Sequence, residues 1–292
     1  TVGFHRRFKA VKATHQQFSG LTIVKLCGWV QVSRAGYYRW LKTPKSREDE
    51  NNEQLKAQLK KLYWQYRGKY GYRRLTMQVN RQFGQHYNVK RIRRLLRELG
   101  LRAVIRRPRH SCTIVRDNSF THNYLDRNFI AHHPNEKWVT DVTYLNYGNN
   151  QRAYLSAIKD LYDGSIISYV VSRRNDNHLV LTTLKQACLN NPEATPLLHS
   201  DRGFQYTSKQ YARLTAQYGI QRSMSRVGKC LDNAPMESFW SHYKDEAYYG
   251  EEFTSYESLV HSIDEYINFY NHHRYQTKLN SLTPIEYRNQ AA

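Results

Sequence analysis

From Trp138 to Leu145 the chain reads Trp-Val-Thr-Asp-Val-Thr-Tyr-Leu, a run of apolar, aromatic and β-branched residues interrupted by one carboxylate, which predicts a strand. Residues 153–160 and 165–172 repeat that texture and predict two further strands, turned around Asp163-Gly164 as a hairpin. Shorter apolar stretches at 196–200 and 221–225 predict a fourth and a fifth strand. Helical spacing predicts helices over 178–189, 208–218, 233–249 and 256–270. Three antiparallel strands followed by strands alternating with helices predict a mixed five-stranded α/β sheet covered by helices.

The earlier part of the chain has only helical periods. Residues 21–27 and 33–42 predict two short helices separated by a break at Gly28, with Ser33 as N-cap of the second. A charged helix is expected over about 48–66. A second pair is expected at 73–83 and 89–99, with Asn88 as cap and Gly100 as stop. Ile92, Leu95, Leu96 and Leu99 share one face of its second helix, and Lys90, Arg91, Arg93, Arg94 and Arg97 cover the rest. Short helix, tight break and second helix form the helix-turn-helix layout. The expected organisation is therefore a helix-turn-helix unit at 1–45, a connecting helix at 46–66 and a second basic helical unit at 67–117. A linker follows at 118–135, and an α/β core with a C-terminal helix at 136–292.

Composition sharpens this division. Hydrophobic residues make up 40% of the 292 and aromatics 13%, which excludes a disordered chain. No apolar run approaches the roughly 20 residues of a membrane span. His5, Arg6, Arg7 and Lys9 are followed by no apolar stretch of the kind found in a signal peptide. The net charge is +21, and it is uneven: residues 1–137 hold 30 Lys and Arg against 8 Asp and Glu, and the remainder 15 against 16. A basic first half on a neutral second half points to a polyanion, and nucleic acid is favoured over a membrane surface because no helix pairs a large apolar face with a tryptophan anchor. The candidate phosphate contacts are Arg34, Arg39, Lys90, Arg91, Arg93, Arg94, Arg97, Arg106 and Arg107. One basic helix alone would be read as a solvated face; two pairs in succession favour DNA. Cys27, Cys112, Cys188 and Cys230 are too scattered for a zinc cluster or a disulfide framework and fit a reducing compartment.

Three acids carry the candidate chemistry. Asp141 interrupts an apolar strand, where a carboxylate is costly unless it is paired or binds a metal. Asp201 follows the short fourth strand. Glu237 lies early in a helix behind Pro235, a place that the helix dipole alone would explain. Singly, each has an ordinary structural reading. As a set, with 35 residues (202–236) between the last two, they change the weighting.

At this point the chain resembles the D,D(35)E transposases and retroviral integrases, which share a ribonuclease-H-like core. More narrowly it is similar to the downstream-frame product of bacterial insertion sequences whose transposase is made from two overlapping reading frames. The resemblance runs through Trp138-Val-Thr-Asp-Val-Thr-Tyr, His199-Ser-Asp-Arg-Gly-Phe-Gln-Tyr, the stretch from Ser223 to Trp240, and Tyr270-Asn-His-His-Arg-Tyr-Gln ending in Thr283-Pro284. It implies that Asp141, Asp201 and Glu237 ligate two Mg²⁺ or Mn²⁺ ions, in keeping with the preference of hard cations for oxygen ligands. It implies hydrolysis at the element's end, then attack of the freed 3′-hydroxyl on a second phosphodiester. It also implies double-stranded DNA as partner (transposon ends and target), a homodimer or higher oligomer in a synaptic complex, and a bacterial cytoplasmic, nucleoid-associated location. Lys244, seven residues after Glu237, is implied at the DNA near the scissile phosphate, and Asn233 and Arg202 flank the acids as further contacts. His199 is either a support for the site or a buried core histidine. Complete members carry an upstream segment with another helix-turn-helix and a coiled coil, and no coiled-coil pattern is evident in this chain. A tyrosine recombinase lacks support despite 24 tyrosines, since no matching Arg/His constellation is present. The alternatives are a purely hydrolytic nuclease on the same fold and a non-enzymatic DNA-binding regulator of transposition.

Overall fold

The computed structural model describes residues 3–18, 20–42, 47–104, 122–227 and 230–290. Arg106 and Arg107 lie outside them. Two compact units are present, Thr1–Lys61 and Leu62–Ala292.

The first unit contains α1 (Phe4–Gln17), α2 (Ile23–Trp29), α3 (Arg34–Lys42) and most of α4 (Arg47–Gln65). Val11, Leu26, Cys27 and Tyr37 form its small core, with Phe8 and Trp40 packed against them. The turn between α2 and α3 places Gln31 at φ 55°, and the Ser33 hydroxyl accepts from Gly36 N at 3.0 Å. Helix α1 adds an element that the sequence reading lacks. Arg34 and Arg39 are exposed on α3.

The second unit opens with α5 (Tyr72–Gln82) and α6 (Val89–Glu98). Asn88 caps α6 by accepting from Lys90 N at 2.8 Å, as its position before the apolar run predicts. Ile92, Leu95 and Leu96 are buried, while Lys90, Arg93, Arg94 and Arg97 face solvent and Arg91 is partly covered beside Tyr87.

The sheet consists of β1 (Lys137–Tyr147), β2 (Gln151–Asp160), β3 (Ile166–Ser172), β4 (Leu197–Ser200) and β5 (Gln221–Met224), in the order β3-β2-β1-β4-β5. β1–β2 and β2–β3 pair antiparallel, β1–β4 and β4–β5 parallel, which is the mixed sheet expected. Its two faces bury different helices. Val139, Leu145, Ala157 and Leu155 pack with Met236, Phe239 and Tyr243 of α9 (Ala234–Tyr243) and with α10 (Tyr256–His272). Trp138, Ile158 and Leu198 pack with α7 (Asn177–Asn190) and α8 (Lys209–Gln217). Alternation along β1 thus assigns Asp141 to the α9 side.

Helix α9 does not run on to 249 as the periodicity predicts. A 3₁₀ turn (Cys230–Asn233) precedes it, and a π-helical turn (Lys244–Tyr248) follows. That turn carries Glu246 inward, where Arg274 binds it twice, at 2.9 and 3.0 Å, Arg74 of α5 at 2.6 Å and the Tyr266 hydroxyl at 3.0 Å. These contacts hold the carboxylate well below its usual range, at about 2, against the opposing effect of burial. A last helix, α11 (Pro284–Asn289), is fastened by Arg288, which donates to the fully buried Asp160 and Asp163 at 2.9 and 2.7 Å.

Candidate active site

The parallel pairing of β1 with β4 brings the front of β1 beside the end of β4, so Asp141 and Asp201 leave the same side of the sheet. Helix α9 crosses that region and adds Glu237. The Trp240 indole, three residues on, donates to Asp141 Oδ2 at 3.0 Å. The three acids meet electrostatically at Asp141. Burial first, then the charges of Asp201 and Glu237, push its carboxyl up to about 7. Burial also raises Asp201 and Glu237. Among the described residues no Lys or Arg forms an ion pair with any of the three. The carboxylates do not yet close into a ligating group: among the described residues no three His, Cys, Asp or Glu side chains are placed to hold a metal ion.

Asp201 is shaped by its own turn. Its Oδ1 accepts from Gly203 N at 2.9 Å, and a Cβ on Gly203 would stand 3.0 Å from that oxygen, so the close approach favours glycine. Arg202 Nε donates to Ser225 O at 2.7 Å and ties the end of β4 to the end of β5. Tyr206 is buried with its hydroxyl 3.3 Å from Thr140 Oγ1. Phe204, by contrast, is exposed.

One residue falls differently from the sequence reading. Asn233, expected at a phosphate, is only 5% exposed, and its Nδ2 donates to Thr140 O at 3.1 Å. It fastens the start of α9 to β1 next to Asp141, and its Oδ1 is buried with no hydrogen-bond partner among the described residues. His199 is fully buried between the Ser223 and Ser225 hydroxyls at 2.9 and 3.0 Å, and burial depresses it to about 4, the behaviour of a neutral core histidine. Lys244 begins the π-helical turn with its ammonium 5.6 Å from the Tyr144 ring centre.

The residue that sequence reasoning missed is Asp232. Fully buried, it accepts from Arg226 Nε at 2.9 Å and NH2 at 2.8 Å, Arg127 Nε at 2.7 Å and Asn123 Nδ2 at 3.1 Å. These guanidiniums hold it far below the usual carboxylate range. It thereby pins the 3₁₀ turn from which α9 delivers Glu237. Asp232→Ala is expected to lower stability by about 2–3 kcal/mol, the guanidiniums being half exposed, and to depress strand joining together with stability. Denaturant unfolding beside a joining assay checks this; unchanged values in both would remove Asp232 from this role.

The fold together with the matching families and relatives makes this a polynucleotidyl transferase of the integrase-core kind. Residues 131–230 and 237–291 match integrase core domain families, and residues 50–109 match the HTH-like domain family. The putative transposase InsK of insertion sequence IS150 from Escherichia coli (strain K12) is 40% identical over 89% of this chain and 91% of its own length. Transposase InsF of IS3A from the same strain is 31% identical over 92% and 94%. The magnesium complex of the HTLV-2 integrase catalytic core aligns with 53% of this chain and 97% of its own at 16% identity and a TM-score of 0.40. The chain belongs to the insertion-sequence transposases, enzymes of DNA transposition and integration. The integrase-core family is divalent-metal dependent as a class. Among the described residues no helix is long and apolar enough to cross a membrane.

Proposed function

We propose that Asp141, Asp201 and Glu237 are the catalytic acids and together hold two divalent cations, Mg²⁺ or Mn²⁺, at which transposon ends are cut and 3′-hydroxyls joined to target DNA. The observation that carries this is the convergence of three carboxylates from β1, the end of β4 and α9, with mutual repulsion and no cationic partner among the described residues. The donor set fits the ions. It consists of hard oxygens only, and the orphaned Asn233 Oδ1 belongs to the side chain whose Nδ2 donates to Thr140 O, the carbonyl preceding Asp141. Bound there, the cations would activate the attacking oxygen and stabilise the leaving one.

The chain's own residues do the remaining work. Trp240 orients Asp141, the Asp201–Gly203 turn orients Asp201, and Asn233 with Asp232 hold the helix start that presents Glu237. Lys244 and Arg202 contact phosphates beside the acids. The exposed Lys90, Arg93, Arg94 and Arg97 of α6, with Arg91, and Arg34 and Arg39 of α3, hold duplex DNA. Arg106 and Arg107 are proposed as further phosphate contacts. Two or more copies act together on paired ends in the bacterial cytoplasm, at the nucleoid. The functional division follows residues 1–45, 46–66, 67–117, 118–135 and 136–292.

Metal removal tests this reading. Chelated protein is expected to bind end DNA yet neither cut nor join it, with both steps restored by Mg²⁺ or Mn²⁺ and no need for added zinc. Full joining in the presence of EDTA would overturn it.

A further inference from the structure

Outside the acid site, a cleft of about 620 Å³ opens between the start of α5, the Ser238–His242 side of α9 and the segment after α10. Its permanently charged lining is Lys69, Arg73, Arg74, Lys159, Arg274 and Lys278, and no carboxylate lines it. Some of that charge is neutralised from behind. Arg74 and Arg274 share Glu246, and Lys69 reaches Glu251 at 3.4 Å. Arg73, Lys159 and Lys278 have no carboxylate ion pair among the described residues.

Lys159 is the unusual member. It projects from β2 into the interior at 5% exposure, with its ammonium 3.2 Å from the Tyr270 hydroxyl and 3.4 Å from Pro235 O. An ammonium is costly to bury without an anion. Lys278 adds a second charge beside it. A Cβ on Gly164 would meet Lys278 Nζ at 3.3 Å and Lys159 Cε at 3.6 Å, so both side chains converge over the Asp163-Gly164 turn. The nearest acid, Asp163, is committed to Arg288 at 2.7 Å and to Ser165 N at 2.6 Å. Gln276 lines the same cleft at 9% exposure, and its Nε2 donor is buried without a partner.

The electrostatics agree with the geometry. Burial raises the Tyr270 phenol, yet its net shift is downward, because Lys159, Arg274 and Lys278 surround it. Burial, then the Arg274 charge, depresses His242 to about 3.

We propose that this cleft seats a backbone phosphate of the bound DNA between Lys159, Lys278 and the Gln276 amide, with Arg73 at its outer wall. A phosphodiester supplies the missing negative charge and an acceptor for the orphaned amide. Because Lys159 also touches Pro235 O at 3.4 Å, the seated phosphate lies beside the start of the helix bearing Glu237. The proposal rests on the chain acting on DNA and is independent of the role given to the acids.

The test is equilibrium binding of a duplex carrying the element's end to the intact chain, in EDTA, across a salt series. Lys278→Gln and Arg73→Gln are each expected to weaken binding about tenfold at low salt and to make the log–log salt slope shallower by about 0.9. Lys278→Arg should restore both, and Lys185→Gln on α7 should change neither. Single methylphosphonate linkages walked along the wild-type complex should reveal one costly position that becomes silent in Lys278→Gln. Wild-type slopes in Lys278→Gln and Arg73→Gln, with an unchanged methylphosphonate pattern, would overturn the proposal and leave the cleft a structural charge cluster. Failure of the wild-type chain to bind the duplex would overturn the end-binding reading, and this one with it.

Discussion

Asp141→Asn, Asp201→Asn and Glu237→Gln should each lose cutting and joining by at least about a thousandfold, roughly 4 kcal/mol of transition-state stabilisation, while binding of end DNA stays within a few-fold of wild type. Each change keeps side-chain size and removes one negative charge. The reason for so large an effect lies in the arrangement. The three carboxylates come from separate elements, so none can be replaced by a neighbour on its own helix or strand. Asn at 141 can still accept from the Trp240 indole, so the fold should tolerate it. Substrate cleavage and strand joining should fall together. Near-normal joining by any one variant would strike that residue from the site.

The second large effect is on stability, and its sign runs against the usual loss on mutating a buried group. In protein free of divalent cations, Asp141 keeps its proton to about pH 7, against 3.8 for an ordinary aspartate. The folded state therefore holds a proton that the unfolded chain releases. The stability linked to it is full below pH 3.8 and is lost as pH rises through 7. Asp141→Asn escapes that loss. At pH 8 in EDTA the variant should unfold at higher temperature than wild type, and the gap should close toward pH 4. A matching dependence is expected for Mn²⁺, which must displace the same proton: its affinity should weaken about tenfold for each pH unit below 7. Titration calorimetry at several pH values reads this directly. A variant no more stable than wild type at pH 8, with Mn²⁺ affinity flat from pH 6 to 8, would contradict the charge crowding at Asp141.

The sheet was legible because its strands are short apolar, aromatic and β-branched runs set off by turn residues, as at Asp163-Gly164. The three acids stand out in the sequence for a different reason: each alone has an ordinary structural reading, and only their spacing as a set, with the resemblance it carries, singles them out. What local patterns hid were partnerships across the chain. Asp232 looks like an ordinary loop residue until Arg127 and Arg226, which lie far apart in sequence, close on it. Asn233 has the composition of a polar contact and the position of a fastener, and only the proximity of Thr140 O separates the two. Periodicity ran 233–249 as one helix because nothing near Glu246 announces Arg274 and Arg74, the partners that the π-helical turn lets it meet. Helix α1 escaped because Phe4, Phe8 and Val11 are a thin apolar stripe among cations, legible only once the Tyr37 and Trp40 rings are set against Phe8.

The Glu246 cluster has a mechanical meaning as well. Arg74 belongs to the helical pair with the exposed basic surface, Arg274 to the end of α10, and Glu246 to the turn that closes the acid-bearing helix. Swinging α5 away would strand a buried carboxylate beside one guanidinium instead of two, and would also break the paired bonds of Arg81 to Glu286 at 2.8 Å. The α5–α6 pair and the acids are thus clamped into one rigid gauge. If α6 grips a DNA end and the acids cut it, as proposed, the number of base pairs from the gripped stretch to the cut phosphodiester becomes a length set in protein, not in the flexibility of the duplex.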